Sequence, residues 1–137
     1  MDYAGWFFIE SSFIEKFLRF VEISCGLFYF VFGLDGFLKK IPLPEPSEKA
    51  KKFLLSLEEA VFVFPTIKII EIFSGVCFVF SFLGPLAWGL LTPIVFNIFL
   101  YHLILNRREY FMPFLILLMH LLIFYKYKHI LLKIFFV

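Results

Sequence analysis

Cysteine motifs, phosphate-binding glycine loops and long charged runs are all missing from this chain of 137 residues. Its two cysteines, Cys25 and Cys77, both lie inside apolar stretches. No C-x-x-C and no zinc-spaced cluster occurs, so thiol exchange and a bound metal have no sequence support. The absence of G-x-G-x-x-G and of a P-loop removes the common nucleotide cradles. Charged residues make up only 18%, the net charge is +2, and no long basic run suggests nucleic acid. No internal repeat or low-complexity tract argues for a solenoid or a disordered tail. The opening MDYAGWFFIESSFIEKF is acidic rather than basic and has no small-residue cleavage site, so no cleavable signal peptide is expected. Within it, Trp6, Phe7, Phe8, Phe13 and Phe17 alternate loosely with Glu10, Glu15 and Lys16, which predicts a short helix lying at a membrane interface.

What the chain has in excess is apolar surface. Hydrophobic residues reach 62% and the mean hydropathy is +0.94, more than one soluble domain of this size could hide from water. The 23 phenylalanines are read as compositional bias rather than as a stacking box for a cofactor. Four apolar runs, residues 17–38, 62–83, 86–105 and 110–128, each approach the ~20 residues that cross ~30 Å of hydrocarbon. The fourth reads as the shortest. The expectation is an all-α polytopic membrane four-helix bundle forming a single domain, 1–137, with both termini on one side. Lys and Arg counts on the two sides, five against seven, leave the orientation open. The one sizeable polar insert is KKIPLPEPSEKAKKFLLSLEEA. Its prolines make the first part extended, and Ser47 then starts an amphipathic surface helix over about 48–60.

Ionisable and polar groups inside the spans need a partner or a function. At about 100° per residue, Arg19, Glu22, Gly26, Tyr29, Gly33 and Gly36 share one stripe of the first span. This is a packing face, with Arg19 and Glu22 forming a structural polar pair at spacing three. Asp35 falls almost opposite, near the span's end, and reads as wet or part of a turn with Gly36. Lys68, Glu71, Gly75 and Phe82 share a stripe of the second span; Glu71 is either neutralised by Lys68 or part of a site. The third span puts Gly89, Pro93, Asn97 and Tyr101 on one side, taken as inward. His102 and His120 differ in expected depth by roughly 8 Å, so paired axial haem ligation is not expected and interhelical hydrogen bonding is. Cys25 and Cys77 read as buried free thiols.

Two segments carry a family resemblance. RFVEISCGLFYFVFGLDGFLKKIP resembles the first helix of DoxX-like membrane proteins, with an early Arg and a later G-x-x-x-F/L element before a proline-containing loop. IKIIEIFSGVCFVFSFLGPLAWGLLTPIVFNIFLYH is similar to their second and third helices: an E-x-x-x-G step, a short Gly-Pro turn, then P-I-x-x-N-I with a following His. The resemblance covers most of the chain. It implies a compact four-helix bundle and a link to membrane redox chemistry. The related DoxD is a subunit of a thiosulfate:quinone oxidoreductase, and other members are associated with thiol and oxidative-stress systems. Glu71, Pro93, Asn97 and His102 are the positions that match.

Two functions compete on this reading. In the first, the chain is an accessory or small-ligand-binding subunit of a quinone- or thiol-linked redox system. Glu71, Asn97, His102 and Lys68 would line a pocket for a quinone-like lipid-soluble ligand, and the partners would be membrane or peripheral redox proteins. In the second it is a non-catalytic membrane assembly factor or scaffold, its polar groups locking helix packing. A small channel lined by Lys68 and Glu71 is a weaker third, because four short spans without repeats give little to build a path from. The expected location is the inner (cytoplasmic) membrane of a bacterium.

Overall fold

The structure is a computed structural model and is described for residues 3–136, with side chains from Glu10 onward. It is helical throughout, with no strand among the described residues. Helix α1 covers Tyr3–Leu38, α2 Glu48–Glu59, α3 Val63–Phe80, α4 Gly84–Leu100 and α5 Phe111–Phe135. A π-helical turn, Tyr101–Leu105, extends α4. Four of these helices are long and apolar enough to cross a membrane, which makes this a multi-pass membrane protein. Helix α1 packs on α3 and α5, and α4 packs on α3 and α5, closing a four-membered antiparallel ring. The core between them holds Tyr29, Phe78, Leu91, Val95 and Ile123, all essentially without solvent exposure. Phe20, Leu27, Ile69, Phe96, Leu118 and Leu121 point outward, as a lipid-facing surface requires.

The expected elements are present, with three differences. First, no separate interfacial helix precedes α1. The chain from Tyr3 to Leu38 contains no proline and runs as one helix of 36 residues. Phe13 and Phe17 are exposed on its outer side, while the side chains of Trp6, Phe7 and Phe8 lie outside the described residues. Second, the fourth span, expected over 110–128 and shortest, is a helix of 25 residues ending at Phe135. Lys126, Lys128 and Lys133 read as a span's end in sequence, yet lysine is a good helix former and Lys126 finds a carboxylate inside the bundle. Third, Gly89, Pro93 and Asn97 face outward. All three are exposed, and the buried face of α4 is Ala87, Leu91, Ile94 and Val95.

Each end of the bundle is tied by identifiable caps. Lys39 takes a left-handed φ of 51° and returns its N–H to the Asp35 carbonyl at 2.7 Å. Asp35 Oδ1 accepts from the amides of Lys40 and Ile41 at 2.7 and 2.9 Å, so this carboxylate closes α1 rather than entering the core. Ser47 caps α2 by accepting from Ala50 N–H at 3.3 Å. Its hydroxyl donates to the Leu105 carbonyl at 2.6 Å and its N–H to Asn106 Oδ1 at 3.2 Å, pinning the surface helix to the end of α4. At the other end α3 stops in a Schellman turn. Ser81 adopts φ 53°, Phe82 N–H reaches the Cys77 carbonyl at 2.9 Å, and Ser81 N–H reaches Phe78 at 3.4 Å.

The α1–α3 seam is the most extensive interhelical contact. Two glycines make it so close. A Cβ on Gly75 would lie 2.7 Å from both the Gly26 carbonyl oxygen and the Phe30 nitrogen, so the two backbones touch there. Gly36, farther along, makes room for the stem of Lys68, and Gly33 for Ile72 and Glu71. Gly89, by contrast, has no heavy atom within 4 Å of such a Cβ. Gly75→Ala is therefore expected to force the helices apart and destabilise the protein by about 1–3 kcal/mol. Gly89→Ala should leave the melting temperature unchanged or raise it, because alanine is the better helix former. Thermal unfolding in detergent checks both, and equal behaviour of the two variants would contradict the assignment of the seam.

Candidate functional site

Glu22 has no solvent exposure and stands where α1, α5 and the α3–α4 turn converge. Every oxygen of its carboxylate is engaged. Arg19, one turn earlier on the same helix, donates from Nη1 to Oε2 at 2.7 Å. Ser81 Oγ donates to the same oxygen at 3.3 Å, and Lys126 Nζ binds it from α5. The hydroxyl of Tyr127 donates to Oε1. Gly84, at the start of α4, leaves the space that Tyr127 OH occupies.

Arg19 does two jobs at this point. Besides Glu22 it donates to the carbonyls of Phe78 and Val79, at 2.7 and 2.5 Å. Those carbonyls belong to the last turn of α3, where a helix lacks intrahelical donors and carries partial negative charge. The guanidinium, with five donors in a rigid fork, suits a simultaneous contact to a carboxylate and a helix end. The centre thus combines two cations, one carboxylate and a helix C-terminus, with one formal positive charge in excess. Lys126 and Arg19 keep 23% and 33% of their side-chain surface accessible, so the centre is reachable from outside through its cations and not through Glu22.

Sequence reasoning found the Arg19–Glu22 pair but not Lys126, Tyr127 or Ser81. A signal was there: Ile116, His120, Ile123 and Tyr127 recur at helical spacing, and the first three are buried. That stripe carries Tyr127 inward and Lys126 to its edge.

The four residues expected to line a pocket are placed as follows. Lys68 Nζ donates to Glu71 Oε2 at 2.8 Å, with side chains 17% and 5% exposed, toward the opposite end of the α1–α3 seam from Glu22. Asn97 does not turn toward them. Its Nδ2 donates to the Pro93 carbonyl of its own helix at 2.8 Å, which satisfies it on the outer face. His102 sits in the π-helical turn, edge-on to Tyr101, with Nδ1 buried and without a partner. No hydrogen bond among the described residues joins Glu71 to Asn97 or His102. Lys68 and Glu71 are thus brought together, and Asn97 and His102 stand apart from them.

A second polar contact joins α4 to α5. Trp88 Nε1 donates to the His120 carbonyl at 3.0 Å and its ring stacks on the imidazole, centroids 4.8 Å apart. Thr92 uses its proton on the Trp88 carbonyl at 2.8 Å, so at 3.0 Å from His120 Nε2 it accepts. His120 therefore carries its proton on Nε2, leaving a buried, unpartnered Nδ1. Cys25 and Cys77 are buried and unbridged, and no group of three or more metal-ligating side chains occurs among the described residues.

Compared with known proteins, the chain matches no family model, no curated protein and no solved structure.

Removing one partner of a buried ion pair leaves the other uncompensated, at about 3–5 kcal/mol. Glu22→Ala strands both Arg19 and Lys126 and should cause a loss of that size. Lys126→Met leaves Glu22 with Arg19, Ser81 and Tyr127 and should lose much less. Unfolding in detergent at fixed lipid content measures both, and the reverse order would contradict the arrangement.

Proposed function

We propose that the protein is an accessory, small-ligand-binding subunit of a quinone- or thiol-linked redox system in the bacterial inner membrane, and that the ligand's polar head is held at the Glu22 centre. The observation that carries this reading is the excess of donors there. Two cations face one carboxylate in an apolar setting, and one positive charge is left to share with an acceptor. A quinone carbonyl or a sulfur oxyanion is such an acceptor, and Lys126, partly accessible and flexible, is the group that would reach it. The resemblance to DoxX-like proteins over most of the chain supports the same class.

A second reading, a non-catalytic membrane assembly factor, is favoured by one observation. Every oxygen of Glu22 is already bonded within the chain, as a purely structural lock requires. The two readings part on one experiment. The protein is purified in mild detergent, extracted with organic solvent, and the extract analysed by mass spectrometry for quinones and sulfur species. Ligand binding predicts a bound species that is lost from Lys126→Met, with that variant still folded. An empty wild-type protein, together with Lys126→Met that fully complements a deletion of the native gene, would leave the assembly factor.

A further inference from the structure

Helices α1 and α5 overshoot their neighbours. At 1.5 Å per residue, the 18 residues of α3 span about 27 Å, close to the thickness of the hydrocarbon, whereas the 36 of α1 span about 54 Å. Arg19 and Glu22 lie level with the last turn of α3, so the part of α1 before Arg19 stands beyond that turn. Helix α5 overshoots in the same direction, because Tyr127 is level with Gly84 at the start of α4 and α5 continues to Phe135. With α3 taken to fill the hydrocarbon, both extensions leave it on the same side, through the head-group layer and beyond.

Between them is a cleft of about 520 Å³ with walls of opposite sign. The α1 wall carries Glu10 and Glu15, and the α5 wall carries Lys126, Lys128 and His129. The α1 wall continues the face that buries Glu22, running outward through Leu18 to Glu15 at helical spacing, and Glu10 lines the cleft from the flank of that face. Among the described residues no ion pair crosses the cleft, although groups of both signs line it. Lys128 instead lies over the Tyr125 ring at 4.0 Å, and Lys126 is taken up by Glu22 from behind.

We propose that this cleft binds the head group of a phospholipid bearing both a phosphodiester and a primary ammonium. The phosphodiester lies against Lys128 and the surplus positive charge of the Glu22 centre, reached through Lys126. The ammonium lies against Glu10 and Glu15. A primary ammonium donates three hydrogen bonds to carboxylates, whereas a trimethylated one donates none, so the acidic wall selects for the former. Tyr125 is exposed at the rim, and Leu121 and Leu118, on the same face of α5 and also exposed, offer an apolar track toward the hydrocarbon for an acyl chain. The site shares Lys126 with the redox ligand proposed at Glu22, so the two ligands compete there, whereas Lys128 and the acidic wall serve the lipid alone.

The test is native mass spectrometry of the full chain in detergent, titrated with phosphatidylethanolamine, phosphatidylcholine or phosphatidylglycerol. Phosphatidylethanolamine should be retained about tenfold more than either other lipid, the size expected for losing one charge-assisted hydrogen bond. The double variant Glu10→Gln/Glu15→Gln should lose the preference over phosphatidylcholine, and Lys128→Met should weaken retention of phosphatidylethanolamine itself. Both act on exposed or half-exposed side chains, and a thermal melt of each confirms the fold; should either fail to fold, the other carries the test. Equal retention of the three lipids overturns the proposal. Stronger retention of phosphatidylglycerol overturns it in favour of a site that reads only the basic wall. Competition by soluble phosphoethanolamine at equal concentration overturns the lipid assignment in favour of a water-soluble ligand.

Discussion

A carboxylate withdrawn from water inside a helical bundle must be met by donors on the spot, and Glu22 draws them from positions 19, 81, 126 and 127. These donors come from three segments far apart in sequence: α1, the α3–α4 turn and α5. Satisfying one side chain therefore fixes the approach of α5 to α1, the position of the α3–α4 turn, and the end of α3 through the carbonyls of Phe78 and Val79. Within a bilayer, where apolar packing between helices competes with equally apolar lipid, such a polar centre gives direction that hydrophobicity alone does not. The left-handed Ser81 fits the same logic. A non-glycine residue in that conformation is strained, and the Schellman bonds together with the hydroxyl contact to Glu22 hold it there.

The bundle is secured differently at its two ends. Toward the termini it is charged and open, with the extensions of α1 and α5 flanking a cleft. At the other end the Lys68–Glu71 pair is internal to α3, its lysine stem accommodated by Gly36, and the Ser47 contacts clip α2 onto the end of α4. Between them the glycine contact at positions 26 and 75 sets the spacing of α1 and α3. A site for a ligand of mixed or anionic character belongs at the charged end, where partly accessible cations are in excess. The pairing at the other end is balanced, one lysine to one glutamate.

How much of this is legible in the sequence follows from range. Apolar run length gave all four spans, and local periodicity gave the α1 stripe, the glycine face and the two spacing-three ion pairs, because each depends on residues within a turn or two. The start of α2 at Ser47 was readable from its serine and the periodicity beyond it. What failed depends on long-range partners. Lys126 looked like the wet end of a span because its counter-charge lies 104 positions away. Asn97 looked inward because an amide in an apolar helix needs a partner, yet its Nδ2 finds one in the Pro93 carbonyl one turn back in its own helix. The candidate site shifted accordingly, from a proposed lining of Glu71, Asn97, His102 and Lys68 toward the groups around Glu22.

The central claim is that Glu22 and Lys126 are energetically one unit. A double-mutant cycle with Glu22→Gln, Lys126→Met and the pair, followed by reversible unfolding in detergent, measures that coupling directly. The account predicts a coupling of about 1.5 kcal/mol or more, with Lys126→Met harmless or stabilising once Glu22 is neutral, because the stranded cation is then removed. Additive effects, with Lys126→Met equally damaging in both backgrounds, would show that the lysine does not serve the carboxylate and would contradict the account.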